Sequence, residues 1–286
     1  MTITEDFVLI NYPKTGTTFT RSAIALAYGV KCIRLNRLMQ KFCIRTSLRE
    51  LQFPKLYGNY DSSYRDQHGV YRQIPIEDRG KRIVSIVRNP IHKYISSYVY
   101  GWWKNHPPYS LDLVVQDFPK FPDISFPEFY DLVNHPNANE DKISVPEARA
   151  IGSYTRMFLV FFSEDPDAAA AGILSGKSLA DVIPRVTFLH QEALRDNLCL
   201  FLKEVGVSAS KAEKIYRLNK KNVSSIDKKS KLSTKEIEAV ARRIITDEEK
   251  FLGVFPEYLE QLNKSIREGV YSVESVGCEE PRTLGV

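Results

Sequence analysis

The first patterned stretch of the chain is a short unbroken apolar run, Phe7-Val8-Leu9-Ile10, which predicts a parallel strand buried on both faces. A polar turn from Asn11 to Gly16 follows. Beyond it Phe19, Ala23, Leu26 and Ala27 stand at i, i+4, i+7 and i+8, and Gly29 ends the pattern, which predicts an amphipathic helix with a glycine stop. A second strong strand, residues 82–87 (RIVSIV), ends in Arg88-Asn89-Pro90. There Asn89 can cap a helix and Pro90 can take its first position, with the helix running to about Trp103. Residues 55–60 read as a weaker strand broken by Gly58, and 186–190 as another, followed by a helix over 192–205 closed by Gly206. Ser233-Thr234-Lys235-Glu236 is a capping box that opens a last long helix to about Leu252.

Strands alternating with helices predict an α/β fold, a parallel β-sheet flanked by helices on both faces. The length of 286 residues fits one domain over 1–286, with its core at about 5–260 and a tail at about 265–286. Seven of the fifteen prolines fall between Lys104 and Pro146 among aromatic residues, so 104–150 reads as an irregular cap over the sheet's working edge. Residues 211–235 are lysine-rich and poor in apolar side chains, as in an exposed basic helix end and loop.

Composition narrows the function classes. No apolar run nears the roughly 18 residues of a membrane span. The start, MTITEDFVLI, is acidic where a secretory signal is basic, so the expectation is a cytoplasmic protein. The net charge of +5 is too mild for a nucleic-acid binder, but it suits a small polyanion if the positive charge is focused. Cys32, Cys43, Cys199 and Cys278 make no CxxC pair and no metal-ligand spacing, and read as reduced structural thiols.

The strongest chemical signal is Asn11-Tyr12-Pro13-Lys14-Thr15-Gly16-Thr17-Thr18-Phe19, set between a buried strand and a helix. Such a loop aims backbone N–H groups at one point, at the positive end of the helix dipole. Gly16 allows close approach, Thr15, Thr17 and Thr18 add hydroxyls, and Lys14 adds a mobile charge. It is an anion cradle but not a Walker A loop, because the lysine precedes the glycine. Residues 171–178 (AGILSGKS) fit a relaxed Walker A pattern, yet no strand runs into them. The second signal is Arg88 at a strand's C-terminal end, with Ser96 on the helix that follows, both placed to face one phosphate.

YPKTGTTF resembles the 5′-phosphosulfate-binding loop of sulfotransferases that use 3′-phosphoadenylyl sulfate (PAPS), and RNPIHKYISSY resembles their 3′-phosphate-binding motif with the same arginine-to-serine spacing. Phe188-Leu189-His190-Gln191-Glu192-Ala193-Leu194 resembles the family's later strand and its YEDL-like segment, although the family often has tyrosine where Gln191 stands. The resemblance implies a P-loop-like fold and metal-independent, in-line transfer of a sulfuryl group from PAPS to a hydroxyl, or an amine, of a small-molecule acceptor. Adenosine 3′,5′-bisphosphate would be the other product. Lys14 would neutralise the bridging oxygen of the departing phosphosulfate, Thr15 to Thr18 would hold the 5′-phosphate, and Arg88 and Ser96 the 3′-phosphate. A basic loop near the C-terminus would close over the nucleotide, with Lys220, Lys221, Lys228 and Lys231 as candidates, although the family's glycine-rich version is missing.

Many relatives carry a catalytic histidine at the end of the second strand, where this chain reads Leu56-Tyr57-Gly58-Asn59-Tyr60-Asp61. A base is still required to take the acceptor's proton. Asp61 is the first candidate, His68 the second, with His92 and His106 further off and His135 and His190 structural. Tyr98, Tyr100, Trp102, Trp103 and Tyr109 could line the acceptor pocket or pack the cap. Two alternatives stay open: a small-molecule kinase using ATP, and an inactive nucleotide-binding protein that kept the loops and lost its base.

Overall fold

The computed structural model describes residues 1–30, 46–56, 64–138, 142–218 and 232–269. The chain starts in strand β1 (Thr2–Thr4) and turns back at once into β2 (Phe7–Ile10). The Thr4 hydroxyl fixes that turn by accepting from the backbone N–H groups of Asp6 and Phe7. Helix α1 (Thr17–Ala27) follows, then β3 (Leu48–Glu50), which pairs antiparallel with β1. A separate two-stranded piece joins β4 (Phe53–Pro54) to β5 (Arg65–Asp66). Strand β6 (Arg82–Val87) lies parallel to β2, and β7 (Thr187–His190) lies parallel to β6.

The protein is thus α/β with a five-stranded mixed sheet, ordered β3-β1-β2-β6-β7, whose core β2-β6-β7 is parallel. The expected parallel sheet holds at this core and fails at the edge. Three-residue strands carry no pattern of their own; β1 and β3 become strands through their antiparallel partners. Of the weak strand expected over 55–60, Lys55 and Leu56 lie just beyond β4, with the Lys55 N–H still donating to the Tyr64 carbonyl (3.3 Å), and 57–60 lie outside the described residues.

Helices α2 (Pro90–Tyr100), α3 (Leu111–Asp117), α4 (Phe126–Asn134), α5 (Ser153–Phe162), α6 (Pro166–Leu174) and α7 (Leu179–Val182) lie between β6 and β7. After β7 come α8 (Leu194–Glu204), α9 (Ala209–Ala212), α10 (Thr234–Asp247), α11 (Glu249–Val254) and α12 (Pro256–Glu268). The period-2 alternation of the strands sorts the core into two clusters. Phe7, Leu9, Val84 and Ile86 meet Phe19 and Ile24 of α1 and Leu198, Phe201 and Leu202 of α8. Val8, Ile10, Ile83 and Val87 turn to the opposite face, towards α2, α4, α5, α10 and α12. Each such side chain contributes about 1.5–3 kcal/mol on burial, which makes the three parallel strands a stiff platform.

Several boundaries moved. The helix after Arg88 ends at Tyr100, where Gly101 takes a left-handed conformation (φ 71°). Among the described residues the cap contains two α-helices, α3 and α4, the second with its own capping box at Ser125 and Glu128. The long C-terminal helix breaks at Glu248, because that residue turns its side chain into the core. Glu248 is fully buried and accepts from the Tyr154 and Thr155 backbone N–H groups (2.9 Å each), the Thr155 hydroxyl (2.7 Å) and the Tyr94 hydroxyl (2.6 Å). It caps the first turn of α5 from the junction of α10 and α11, a contact no local pattern announces. Helix α12 replaces part of the expected tail.

The register places the working edge. Val87 pairs with His190, so β6 and β7 end together, and β2 ends two residues earlier with Ile10 opposite Ser85; the strands are parallel, so their following turns, 88–89, 191–193 and 11–16, leave the same side of the sheet. The Ser85 hydroxyl donates to the Ile10 carbonyl (2.8 Å) and locks the end of β2 to β6.

Candidate functional site: a cationic cradle at the sheet edge

The turn after β2 is shaped by two left-handed residues, Lys14 (φ 66°) and Gly16 (φ 88°). For a lysine that conformation is strained by about 1 kcal/mol, and it re-aims the peptide N–H groups on either side of it towards a common concavity. Gly16 is the N-cap of α1 and brings no side chain to the N–H groups of the first turn. A Cβ at Gly16 would sit 3.0 Å from Leu194 Cδ2 and 3.6 Å from Gln191 Cγ, so the turn after β7 closes directly on the loop. Thr15 is fully buried and its hydroxyl donates to the Tyr12 carbonyl (2.8 Å), so that hydroxyl shapes the loop. Thr17 is buried and Thr18 half-buried at the start of α1.

Tyr12 anchors the loop in the core. It is fully buried among the edges of Tyr154, Phe158 and Phe161, and Lys93 Nζ donates to its hydroxyl (2.8 Å). Burial pushes the Tyr12 phenol well above its usual range.

Arg88 comes to the cradle from β6. Its Nη1 donates to the Lys14 carbonyl (3.1 Å), and its buried Nε–H has no hydrogen-bond partner. Burial lowers its pKa, opposed by the nearby Glu192 carboxylate. The turn that carries it is pinned on every side. The Tyr154 hydroxyl donates to the Arg88 carbonyl (2.8 Å), the Asn89 N–H to Glu192 Oε1 (3.0 Å), and Asn89 Nδ2 to Gln261 Oε1 (3.0 Å). Asn89 Oδ1 caps α2 through the Ile91 N–H (3.2 Å), as its sequence position predicts. Ser96 is half-buried and sits one helical turn from both His92 and Tyr100; His92 touches Glu192 and Tyr100 touches Lys14. It therefore belongs to the helix face turned to the cradle.

Lys14 lies near Arg88 with its Nζ over the Tyr100 ring, 3.2 Å from the centroid. Burial and the Arg88 charge together lower its ammonium from the ordinary lysine value to about 8. Two cations held together at the N-terminus of α1 form a site for an anion of more than one charge. Glu192 supports it from behind, with Oε2 accepting from the Tyr258 hydroxyl (3.0 Å). Burial alone would raise its carboxyl pKa, but hydrogen bonds from His92 and the Asn89 N–H outweigh that and hold it below the usual range.

His68 stands at the mouth of the same loop. Its Nδ1 is 2.5 Å from the Asn11 carbonyl, and burial lowers its pKa. A carbonyl only accepts, so Nδ1 carries the proton and Nε2 the lone pair. His92 is part-buried with Nδ1 3.5 Å from Glu192 Oε1, rather than on a free helix surface. His106 stacks on Trp102, His135 on Tyr109, and His190 contacts Tyr258. Of the aromatic group, Trp103 and Tyr109 are buried and Tyr98 stacks on Trp103, so these three pack the cap, while Tyr100 and Trp102 stay exposed. Asp61, Lys220, Lys221, Lys228 and Lys231 lie outside the described residues.

The Walker-like segment 171–178 begins inside helix α6, with no strand leading into it, and Ser178 is spent capping α7, so it builds no phosphate loop. Among the described residues no group of three or more His, Cys, Asp or Glu is gathered for a metal, and no helix is long and apolar enough to cross a membrane. No family model matches the chain, and neither a curated protein nor a solved structure matches it.

The sequence pointed to Lys14, Gly16 and Arg88. It quoted Tyr12 and Glu192 within their motifs without a role of their own, and it missed Tyr154 and Tyr258; these four brace the cradle. Only Glu192, next to a strand end, carried a signal that could have been followed.

Proposed function

We propose that the chain is a PAPS-dependent sulfotransferase acting on a hydroxyl, or an amine, of a small-molecule acceptor. The observation that carries this reading is the meeting of the Lys14 loop with Arg88 at one sheet edge, with the Nη1 of one on the carbonyl of the other. The resemblance of YPKTGTTF and of RNPIHKYISSY to the family's two phosphate motifs gives that meeting its chemical meaning. The residues present fit the nucleotide: a buried Arg88 Nε–H and a buried Gln191 Oε1 without partners, and a glycine where a Cβ would press on the neighbouring turn.

PAPS, when bound, would supply the sulfuryl group. Sulfuryl transfer resembles phosphoryl transfer, with a loose transition state helped mainly by positioning and by stabilising charge on the leaving oxygen. Lys14 brings that charge, and the first turn of α1 together with Arg88 orients the phosphates. His68, neutral and with Nε2 unprotonated, would take the acceptor's proton. Replacing it, His68→Ala, is expected to lower turnover about a hundredfold while leaving nucleotide affinity within about twofold. Unchanged turnover would move the base elsewhere.

Calorimetric titration with adenosine 3′,5′-bisphosphate, with ADP and AMP as controls, tests the reading. Tight binding that requires the 3′-phosphate is expected; no binding at millimolar concentration, or equal binding of ADP, overturns it. The pH dependence carries a sign. Lys14 binds an anion as the ammonium, and its pKa in the free protein is about 8. Affinity should therefore fall between about pH 8 and about pH 9, by about tenfold or less in total, and level off above that window. A rise across that window would contradict the role of Lys14.

A further inference from the structure

Lys14 is held by two different groups at its two ends. Arg88 fixes its backbone through the carbonyl, and the ring of Tyr100 lies under its ammonium with Nζ 3.2 Å from the centroid. Tyr100 is the last residue of α2 and is 60% exposed. Its ring is near-parallel to that of Trp102 (6.3 Å, 21°), which sets the orientation of the face it offers.

The charge balance explains why such a ring is needed. The ammonium is partly stripped of water, and the charged group that acts on it, Arg88 at the end of β6, repels it. Among the described residues no carboxylate makes an ion pair with Lys14. A counter-ion there would neutralise the anion site, whereas a ring face attracts the ammonium without carrying net charge. The contact is also easily surrendered, since an arriving phosphate oxygen binds an ammonium more strongly than a ring does.

We infer that Tyr100 is a positioning residue, whose ring face keeps the Lys14 ammonium charged and poised beside the cradle until an anionic ligand takes it over. The inference rests on the reading above in one respect, that Lys14 is the group that acts on the departing phosphosulfate. The ring serves without its hydroxyl, so phenylalanine should replace it and an aliphatic side chain of similar bulk should not.

The test is pulsed acetylation of the full chain with acetic anhydride, from about pH 6 to about pH 10, with the extent at Lys14 read by peptide mass spectrometry for the wild type, Tyr100→Phe and Tyr100→Leu. Leucine keeps cover over the amine and removes the π face; the site is an exposed helix end, so both variants fold. The wild type and Tyr100→Phe are expected to share a midpoint near 8. In Tyr100→Leu the midpoint should be lower by about half a pH unit, with labelling at neutral pH about threefold faster. A leucine midpoint equal to or above the wild type, or a phenylalanine variant that behaves like leucine, overturns the inference. Repeating the labelling with saturating adenosine 3′,5′-bisphosphate separates the two readings. Protection of Lys14 supports both; the expected midpoints without protection keep the Tyr100 contact and overturn the nucleotide reading.

Discussion

Lys14→Ala is expected to cut the rate of sulfuryl transfer at saturating donor by about a hundredfold to a thousandfold, while the affinity for adenosine 3′,5′-bisphosphate falls by about tenfold or less. The split follows from where the lysine sits. Its backbone is strained at φ 66°, a conformation that alanine shares at the same steric cost, so truncation leaves the loop's shape alone. The Arg88 contact is to the Lys14 carbonyl and also survives. What disappears is the ammonium, already desolvated and therefore effective against charge that develops only as the bond to sulfur breaks. Ground-state phosphates keep the N–H groups of the α1 first turn and Arg88. Single-turnover rates beside calorimetric affinities measure the two quantities separately. A rate unchanged in Lys14→Ala, or a loss confined to affinity, would remove Lys14 from the leaving-group role.

How far the sequence carries this site depends on the distance over which each contact acts. The cradle is written contiguously: a four-residue apolar strand, a glycine N-cap and an amphipathic helix lie within Phe7–Ile10 and Thr17–Ala27 and the turn between them. Asn89 and Pro90 announce the start of the second helix for the same reason, since a cap acts within its own turn. Gly206 closes the helix after β7 in the left-handed conformation its position predicts. The supports are of another kind. Glu248 reaches Tyr154 across 94 residues, Tyr154 reaches Arg88 across 66, and Tyr258 reaches Glu192 across 66. Each is an ordinary polar residue in or beside its own helix and gains its role only when the helices meet. The sheet edge follows the same rule, because β1 and β3 are too short to show alternation and exist through pairing. Periodicity thus shows the elements that build the floor and rim of the site, while the polar contacts that stiffen it depend on tertiary packing.

Arg88→Ala is expected to weaken adenosine 3′,5′-bisphosphate binding by about a hundredfold, roughly 3 kcal/mol, and AMP binding by only about tenfold. The larger loss combines two terms. A buried guanidinium with an unpartnered Nε–H is already desolvated, so a phosphate that reaches it gains a charge-assisted hydrogen bond at little further cost. Removing the side chain also frees the Lys14 carbonyl from Nη1, which loosens the loop and accounts for the smaller loss shared with AMP. Arg88→Lys should recover little, because the three donors of an ammonium share one nitrogen and do not reproduce the fixed fork that sets Nη1 on the loop carbonyl and leaves Nε for the ligand. The folded state should tolerate the change, since Glu192 keeps the Asn89 N–H and the Tyr258 hydroxyl as donors; a thermal melt within a few degrees of the wild type checks this. The decisive quantity is the ratio of the two affinities. If both nucleotides weaken equally, Arg88 braces the Lys14 loop without reading a 3′-phosphate, and the donor of the proposed transfer would have to be sought among nucleotides that lack one.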